Sequence, residues 1–525
     1  MALRKFFFTT QGVLFLLTGM IAFIASCNSF EKNKSHKNIP DAVIAKGKEL
    51  AAKYCQSCHQ LPDPSMLDSK SWEQGVMPNM GPYLGIFNDE IRQYPSYRND
   101  RFLPRSFYPS KPLMSLLEWK YIKDYYTAVS PDSLPGQSRK IKIALNLPGF
   151  EIKQPAKNNE NPAVTFIKID TVSRSHRLLL YDITQKTILS LDTNLNVNDS
   201  LHFNTPVVAA AVHKNSVAFC NIGEMNPNNG RFGKLQLVNS TENLRRQTGT
   251  VLLADSLARP VSFEAADLNG DGREDYLICE FGHLTGELAW FENAGDSLFK
   301  KHVLRNIPGA IATVINDYNH DGRPDIWALF AQADEGIFLF TNKGNGQFES
   351  KKILSFPPMQ GSTYFELDDF NKDGYPDILY SCGDNADFSP VLKAYHGVYI
   401  FLNNGSNVFT QKYFFPQHGC FKAMARDFDN DGDLDIAAIS FFADYINQPE
   451  EGFVYLENGG DFNFDPFSFS QVNAGRWLTM DVGDFNGDNK PDIVLGNFSI
   501  GPVPRVMTNS WKQGPAFILL ENTNR

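Results

Sequence analysis

The chain predicts a small all-α domain followed by an all-β seven-bladed propeller. Three observations carry that expectation. An acidic nine-residue pattern returns five times in the C-terminal half. Each copy is followed by short apolar runs of strand-like composition, with helical periodicity absent. Between about Ile39 and Leu134, by contrast, apolar residues recur at helical spacing, as in Leu116, Trp119, Ile122, Tyr125 and Tyr126.

The acidic pattern places Asp267, Asn269, Asp271 and Asp275 in its first copy. It recurs as Asp317, Asn319, Asp321 and Asp325, then as Asp369, Asn371, Asp373 and Asp377. The last two copies are Asp427, Asp429, Asp431 and Asp435, and Asp484, Asn486, Asp488 and Asp492. Successive copies start 50, 52, 58 and 57 residues apart, a period suited to a propeller or solenoid array. Oxygen side chains at positions 1, 3 and 5 converge on a hard cation, as in the first half of an EF-hand loop. Position 6 is Gly or Asn, residues that tolerate a positive φ. Position 9 is always Asp and is expected to close the shell. An all-oxygen set favours calcium over zinc, and over magnesium with its stricter octahedron, so about five calcium ions are expected.

Four strands per unit can be traced. The run after each loop (Ile326 to Leu329, for instance) is followed by a second one ending in Asn, such as Ile337 to Asn342, and by a Phe-led segment, Phe348 to Ile353. These loops and blades resemble the FG-GAP/VCBS repeats of integrin-type β-propellers over Arg259 to Asn524. Upstream, Pro162 to Phe203 and Thr205 to Ala258 alternate like strands without an acidic loop and read as two degenerate blades. Phe150 to Gln154 matches the outer-strand pattern and is expected to close the ring against the C-terminal strand. The calcium ions are then structural, pinning the turn between the first two strands of five blades.

Cys55-Gln56-Ser57-Cys58-His59 carries the other chemistry. Two cysteines three residues apart can bond the two vinyl groups of one haem, and the adjoining histidine is placed to ligate its iron. Zinc would need a second ligand pair, and Gln60 to Lys140 holds no further Cys or His. A redox dithiol would sit in a βαβ pattern, and none is present. One covalent haem c is therefore expected. Ala42 to Tyr54 is similar to the first helix of a small cytochrome c, and Leu113 to Val129 to the last helix that packs on it. For the sixth iron position the soft candidates are Met80 first, Met77 second and Met114 third, with Met66 also present.

Export is expected as well. Arg4 and Lys5 precede an apolar run from Val13 to Ile24, too short for a comfortable membrane span. Ile24-Ala25-Ser26-Cys27 resembles the lipobox of bacterial lipoproteins, which implies that Cys27 is a diacylated anchor. The organisation is then a lipoprotein signal over 1–26, a tether over 27–39, a cytochrome c domain over 40–135 and the propeller over 141–525. A formal net charge of −10 argues against a nucleic-acid role and for cation binding. Cys220, Cys279, Cys382 and Cys420 each lie singly in an apolar run and read as buried thiols.

The function that follows is electron transfer in the cell envelope, with a redox protein or quinone-linked chain as partner. The propeller serves as scaffold, and its long loops Gly383 to Gly397, Phe442 to Gly452 and Ser499 to Pro515 are offered to a glycan or protein. Asp384, Asp387, Tyr395, His396, Asp444, Tyr445 and Trp511 are the residues of interest there, with Arg476 and Trp477 nearby on a strand-entry loop. The competing expectations are a propeller that oxidises a sugar or alcohol and reduces the haem, and a glycan- or protein-binding envelope protein in which the haem has a minor role. The six Trp, however, do not recur with the blades as the Trp-rich repeats of quinone-dependent dehydrogenases do.

Overall fold

The computed structural model describes residues 30–87, 100–156, 160–173, 176–239, 244, 249–296, 298–386, 389–501 and 508–524. Cys27, the 1–26 segment expected to be a signal, and Asp387 lie outside the described residues. No described helix is long and apolar enough to cross a membrane.

Two helices, α1 (Asp41–Tyr54) and α2 (Leu116–Val129), cross in the N-terminal domain. Asp41 in the first turn of α1 complements the positive end of the helix dipole. A capping box starts α2: the Glu118 amide donates to Ser115 Oγ at 3.2 Å and the Ser115 amide to Glu118 Oε2 at 2.8 Å. Ile44, Leu50 and Ala51 of α1 bury against Trp119, Ile122 and Tyr126 of α2. Gly47 marks the crossing, because a Cβ there would lie 2.0 Å from the Tyr121 carbonyl oxygen. Short helical turns between the two helices bury Trp72, whose indole N–H donates to the Pro64 carbonyl at 2.8 Å.

The segment before α1 is docked on the helical domain from Phe30 onward. Asn33 Nδ2 donates to the carbonyls of Thr127 and Ser130 at 2.6 and 2.8 Å, satisfying groups that the end of α2 leaves open. Lys32 pairs with Asp41 at 2.7 Å, and Phe30 packs on the helical core.

Seven four-stranded antiparallel sheets make the propeller. Six are continuous in sequence, with strands spanning Val164–His202, Val207–Leu257, Pro260–Arg305, Ala310–Ser355, Ser362–Pro416 and Cys420–Phe467. The seventh takes three strands from Trp477–Asn522 and its outer strand from Phe150–Lys153, paired in register Phe150 with Asn522 through Lys153 with Leu519. Both degenerate blades and the ring closure are as expected from sequence. The pairing of the first two strands shifts register near its start in all seven blades, the acid-free ones included. That shared irregularity sharpens the strand twist and identifies the seven as one repeating unit.

The helical domain sits on the propeller face opposite the acidic loops. Tyr395 Oη donates to the carbonyls of Met66 and Met359 at 3.3 and 3.1 Å. Asn229 Nδ2 donates to Asp100 Oδ2 at 2.7 Å, and Phe102 meets Phe232 edge-on at 5.4 Å. The connecting segment is tied down too: Arg139 pairs with the buried Glu451, and Ala144 and Leu147 donate to the carbonyls of Pro466 and Ser468.

Candidate functional site

Between the two domains lies a cleft of about 400 Å³. Its helical wall carries Cys55, Cys58 and His59 together with Trp72, Met77, Met80, Trp119 and Tyr126. The local fold explains the placement: α1 gives way to a 3₁₀ turn over Cys55–Ser57, which turns both thiols and the imidazole to one side. The propeller supplies the other wall, from loops carrying His283, Ala331 to Ala333, Met359, Asp384, Asn385 and Lys393.

The donor set fits a covalent haem. Cys55 and Cys58 are both free thiols, and burial pushes the Cys55 thiol up to about 11, with neighbouring Cys58 adding to the shift. His59 Nδ1 is 2.8 Å from the Gln60 carbonyl. A carbonyl only accepts, so Nδ1 carries the proton and Nε2 keeps the lone pair that an iron ligand needs. Trp119 is 3% exposed, and its indole N–H is buried without a hydrogen-bond partner in a residue that lines the cleft. A buried orphan donor is costly unless a ligand answers it.

The methionines separate. Met77 and Met80 line the cleft, whereas Met114 is 6% exposed in the helical core and Met66 meets Tyr395 through its carbonyl. Met359, His283 and Lys393 were not legible as cleft residues, since nothing in a loop sequence says which surface it will face. Burial and the neighbouring Arg259 guanidinium hold the His283 imidazole down at about 4, so it is uncharged at neutral pH.

The acidic loops share one geometry. In the first, Asp267 accepts the amides of Asp271 and Gly272 at 3.1 and 2.8 Å, Asn269 Oδ1 accepts Asp271 N at 3.0 Å, and Asp271 Oδ1 accepts Arg273 N at 2.9 Å. The same position-1 bond to the position-6 amide recurs from Asp317, Asp369, Asp427 and Asp484. Position 6 is left-handed as expected, from Gly272 at φ +81° to Asn489 at +65°. Position 4 is left-handed too, even as His320 and Lys372, both at φ +58°. Two such reversals fold the loop tightly enough for positions 1, 3 and 5 to converge.

In the loop with a third Asp, oxygens of Asp427, Asp429 and Asp431 lie within 4.8 Å of one another, and Asp427 Oδ1 is buried without a partner. Calcium ligands at about 2.4 Å can be at most about 4.8 Å apart, so these three fit one ion. The position-9 carboxylates are buried and accept backbone amides. Asp275 Oδ2 accepts Leu268 N at 3.0 Å and Oδ1 accepts Asn293 N at 2.8 Å, and Asp377, Asp435 and Asp492 repeat the pair. Asp325 keeps the Asn342 bond at 2.7 Å. These aspartates stitch each loop to the Asn that ends the blade's third strand. Burial first, then the neighbouring loop carboxylates, raises Asp377 and Asp492 to about 6.

The loops offered to a glycan or protein are largely occupied within the molecule. Tyr445 and Trp511 are 5% and 0% exposed, meet edge-on at 4.7 Å and pack beside the buried Arg476. Trp477 and His396 are buried as well, and Tyr395 holds the helical domain. Asp444 binds its own turn through Asn447.

Known proteins agree on the propeller. A family model described as an FG-GAP-like repeat matches residues 267–328, 317–380 and 427–495, which contain all five acidic loops. The chain carries FG-GAP-like repeats in a seven-bladed all-β propeller. Cartilage acidic protein 1 of Xenopus tropicalis is 27% identical over 205 residues, 36% of this chain. The chain spans 28% of that relative's length. Among solved structures, the N-terminal domain of Nup159 matches 73% of this chain and 99% of its own at 9% identity and TM-score 0.40. BBS1N in complex with ARL6DN matches 72% and 97% at 8% identity and TM-score 0.43.

Proposed function

We propose that the chain is a lipid-anchored envelope protein that carries electrons on one covalent c-type haem, with a calcium-loaded propeller as docking and binding scaffold. The observation that carries this reading is the meeting of Cys55, Cys58 and His59 in one largely apolar cleft beside Met77 and Met80. In this reading the two thiols add across the haem vinyl groups and His59 Nε2 is the proximal ligand. Met80 takes the sixth position, where a thioether opposite an imidazole raises the potential and suits the group to electron transfer. Cys27 bears the lipid, and the redox partner is a protein or a quinone-linked chain.

The test is a visible spectrum of purified protein, oxidised and reduced, from a host able to attach haem. A c-type spectrum that survives denaturation, lost in the Cys55→Ala, Cys58→Ala double variant, is expected. Absence of any haem spectrum from the native chain sinks the reading. A methionine-ligated haem adds a weak band at the red end of the oxidised spectrum, and its persistence in Met80→Ala refutes the Met80 assignment alone.

A further inference from the structure

A haem is an apolar ring with two carboxylates on one edge, and those carboxylates need donors or cations. Among the described residues of the helical wall the lining is aromatic and aliphatic side chains, methionines, Cys55, Cys58 and His59, with no Lys or Arg. The ammonium group among the described lining residues comes from the propeller. Lys393 is 2% exposed and its Nζ donates to Asn385 Oδ1 at 2.7 Å. Asp384 and Ser389 line the same corner. Burial raises the Asp384 carboxyl, while the Ala386 amide and Lys393 oppose the rise. The corner is held firmly against the helical domain. Gln137 Nε2 donates to the carbonyls of Lys393, Ala394 and His396, and Tyr395 Oη spans Met66 and Met359.

We propose that the propeller grips the haem carboxylates through Lys393 and Asn385, so that one cofactor bridges both domains. This rests on the haem reading above and adds that the propeller is part of the cofactor site rather than an appended module. A buried cation next to the cofactor favours the reduced iron, which carries one positive charge fewer, and a buried carboxylate disfavours it.

The experiment compares full-length holoprotein with its Lys393→Gln, Asp384→Asn and Asn385→Ala variants by haem content and by midpoint potential. Haem content stays at the native level in all three, because the thioether bonds do not depend on the propeller. The potential falls in Lys393→Gln and rises in Asp384→Asn, opposite shifts that a general loosening of the fold does not produce. Should Lys393→Gln fail to fold, the rise in Asp384→Asn and a fall in Asn385→Ala carry the decision. Native potentials in folded variants with full haem content, or shifts of one sign in both charge variants, overturn the proposal and leave the haem reading standing. Native protein without haem overturns both.

Discussion

Gly47→Ala tests whether the two long helices cross as described. The added Cβ would sit 2.0 Å from the Tyr121 carbonyl oxygen and 2.7 Å from Tyr125 Cβ, where ordinary contact begins at 3.4 Å. The nearer obstacle is backbone, which cannot rotate aside, so the helices must part by more than an ångström or the variant stays strained. Overpacking of this kind costs about 1–3 kcal/mol, and a rigid obstacle belongs at the upper end. Replacing Gly by Ala inside a helix returns about 1 kcal/mol of propensity. A net loss of about 1–2 kcal/mol is expected, which lowers the melting temperature of a domain this size by roughly 5–15 °C. Ala52→Gly on the exposed side of α1 serves as control and loses only the propensity of about 1 kcal/mol. Thermal unfolding followed by circular dichroism, with haem content recorded beside it, reads the result. If Gly47→Ala is as stable as the native chain or more so, the close crossing is wrong.

Further expectations concern the propeller. A calcium chelator should lower the melting temperature of the β-sheet signal, and calcium should restore it while magnesium does so poorly; a melting curve indifferent to the chelator removes calcium from the account. His320 holds φ +58°. His320→Gly relieves a left-handed strain of about 1–2 kcal/mol and adds about 0.4–1 kcal/mol of unfolded-chain freedom, so chemical denaturation should show a gain of up to about 1.6 kcal/mol. Burial pushes the Glu335 carboxyl up to about 8, while its bond from Ser362 and Lys393 pull down and Asp384 pushes up. Because the folded value lies above the ordinary 4.5, the folded protein binds the proton more tightly. Stability from this group is full below 4.5 and declines as pH rises towards 8. Glu335→Gln should flatten the decline in urea titrations across that window, and an unchanged slope counts against the buried carboxyl as its source.

Chemistry that lies in one contiguous stretch was legible in the chain. Cys55, Cys58 and His59 sit within five residues, and each acidic loop within nine, so each group comes together without help from the rest of the fold. Strand patterns also extended to the two blades without acidic loops and to Phe150–Lys153 as the closing strand, because alternation and a Phe-led edge do not depend on the loop. Position 6 of the loops was readable from Gly and Asn, whereas position 4 was not: His320 and Lys372 adopt a conformation their own chemistry disfavours, and the surrounding hydrogen bonds impose it.

Tertiary structure decided what faces what. Tyr445, Trp511 and Arg476 look like binding residues in sequence, yet they pack into one another because their loops fold back over the blades. Lys393 and Trp119 are more than 270 residues apart and meet at one cleft only when the helical domain docks. Burial then gives each a need it lacks in the extended chain, a counter-charge for the ammonium and an acceptor for the indole N–H. Local sequence determines which groups can react or bind an ion; removing water from groups brought together across the chain determines which of them must find a partner.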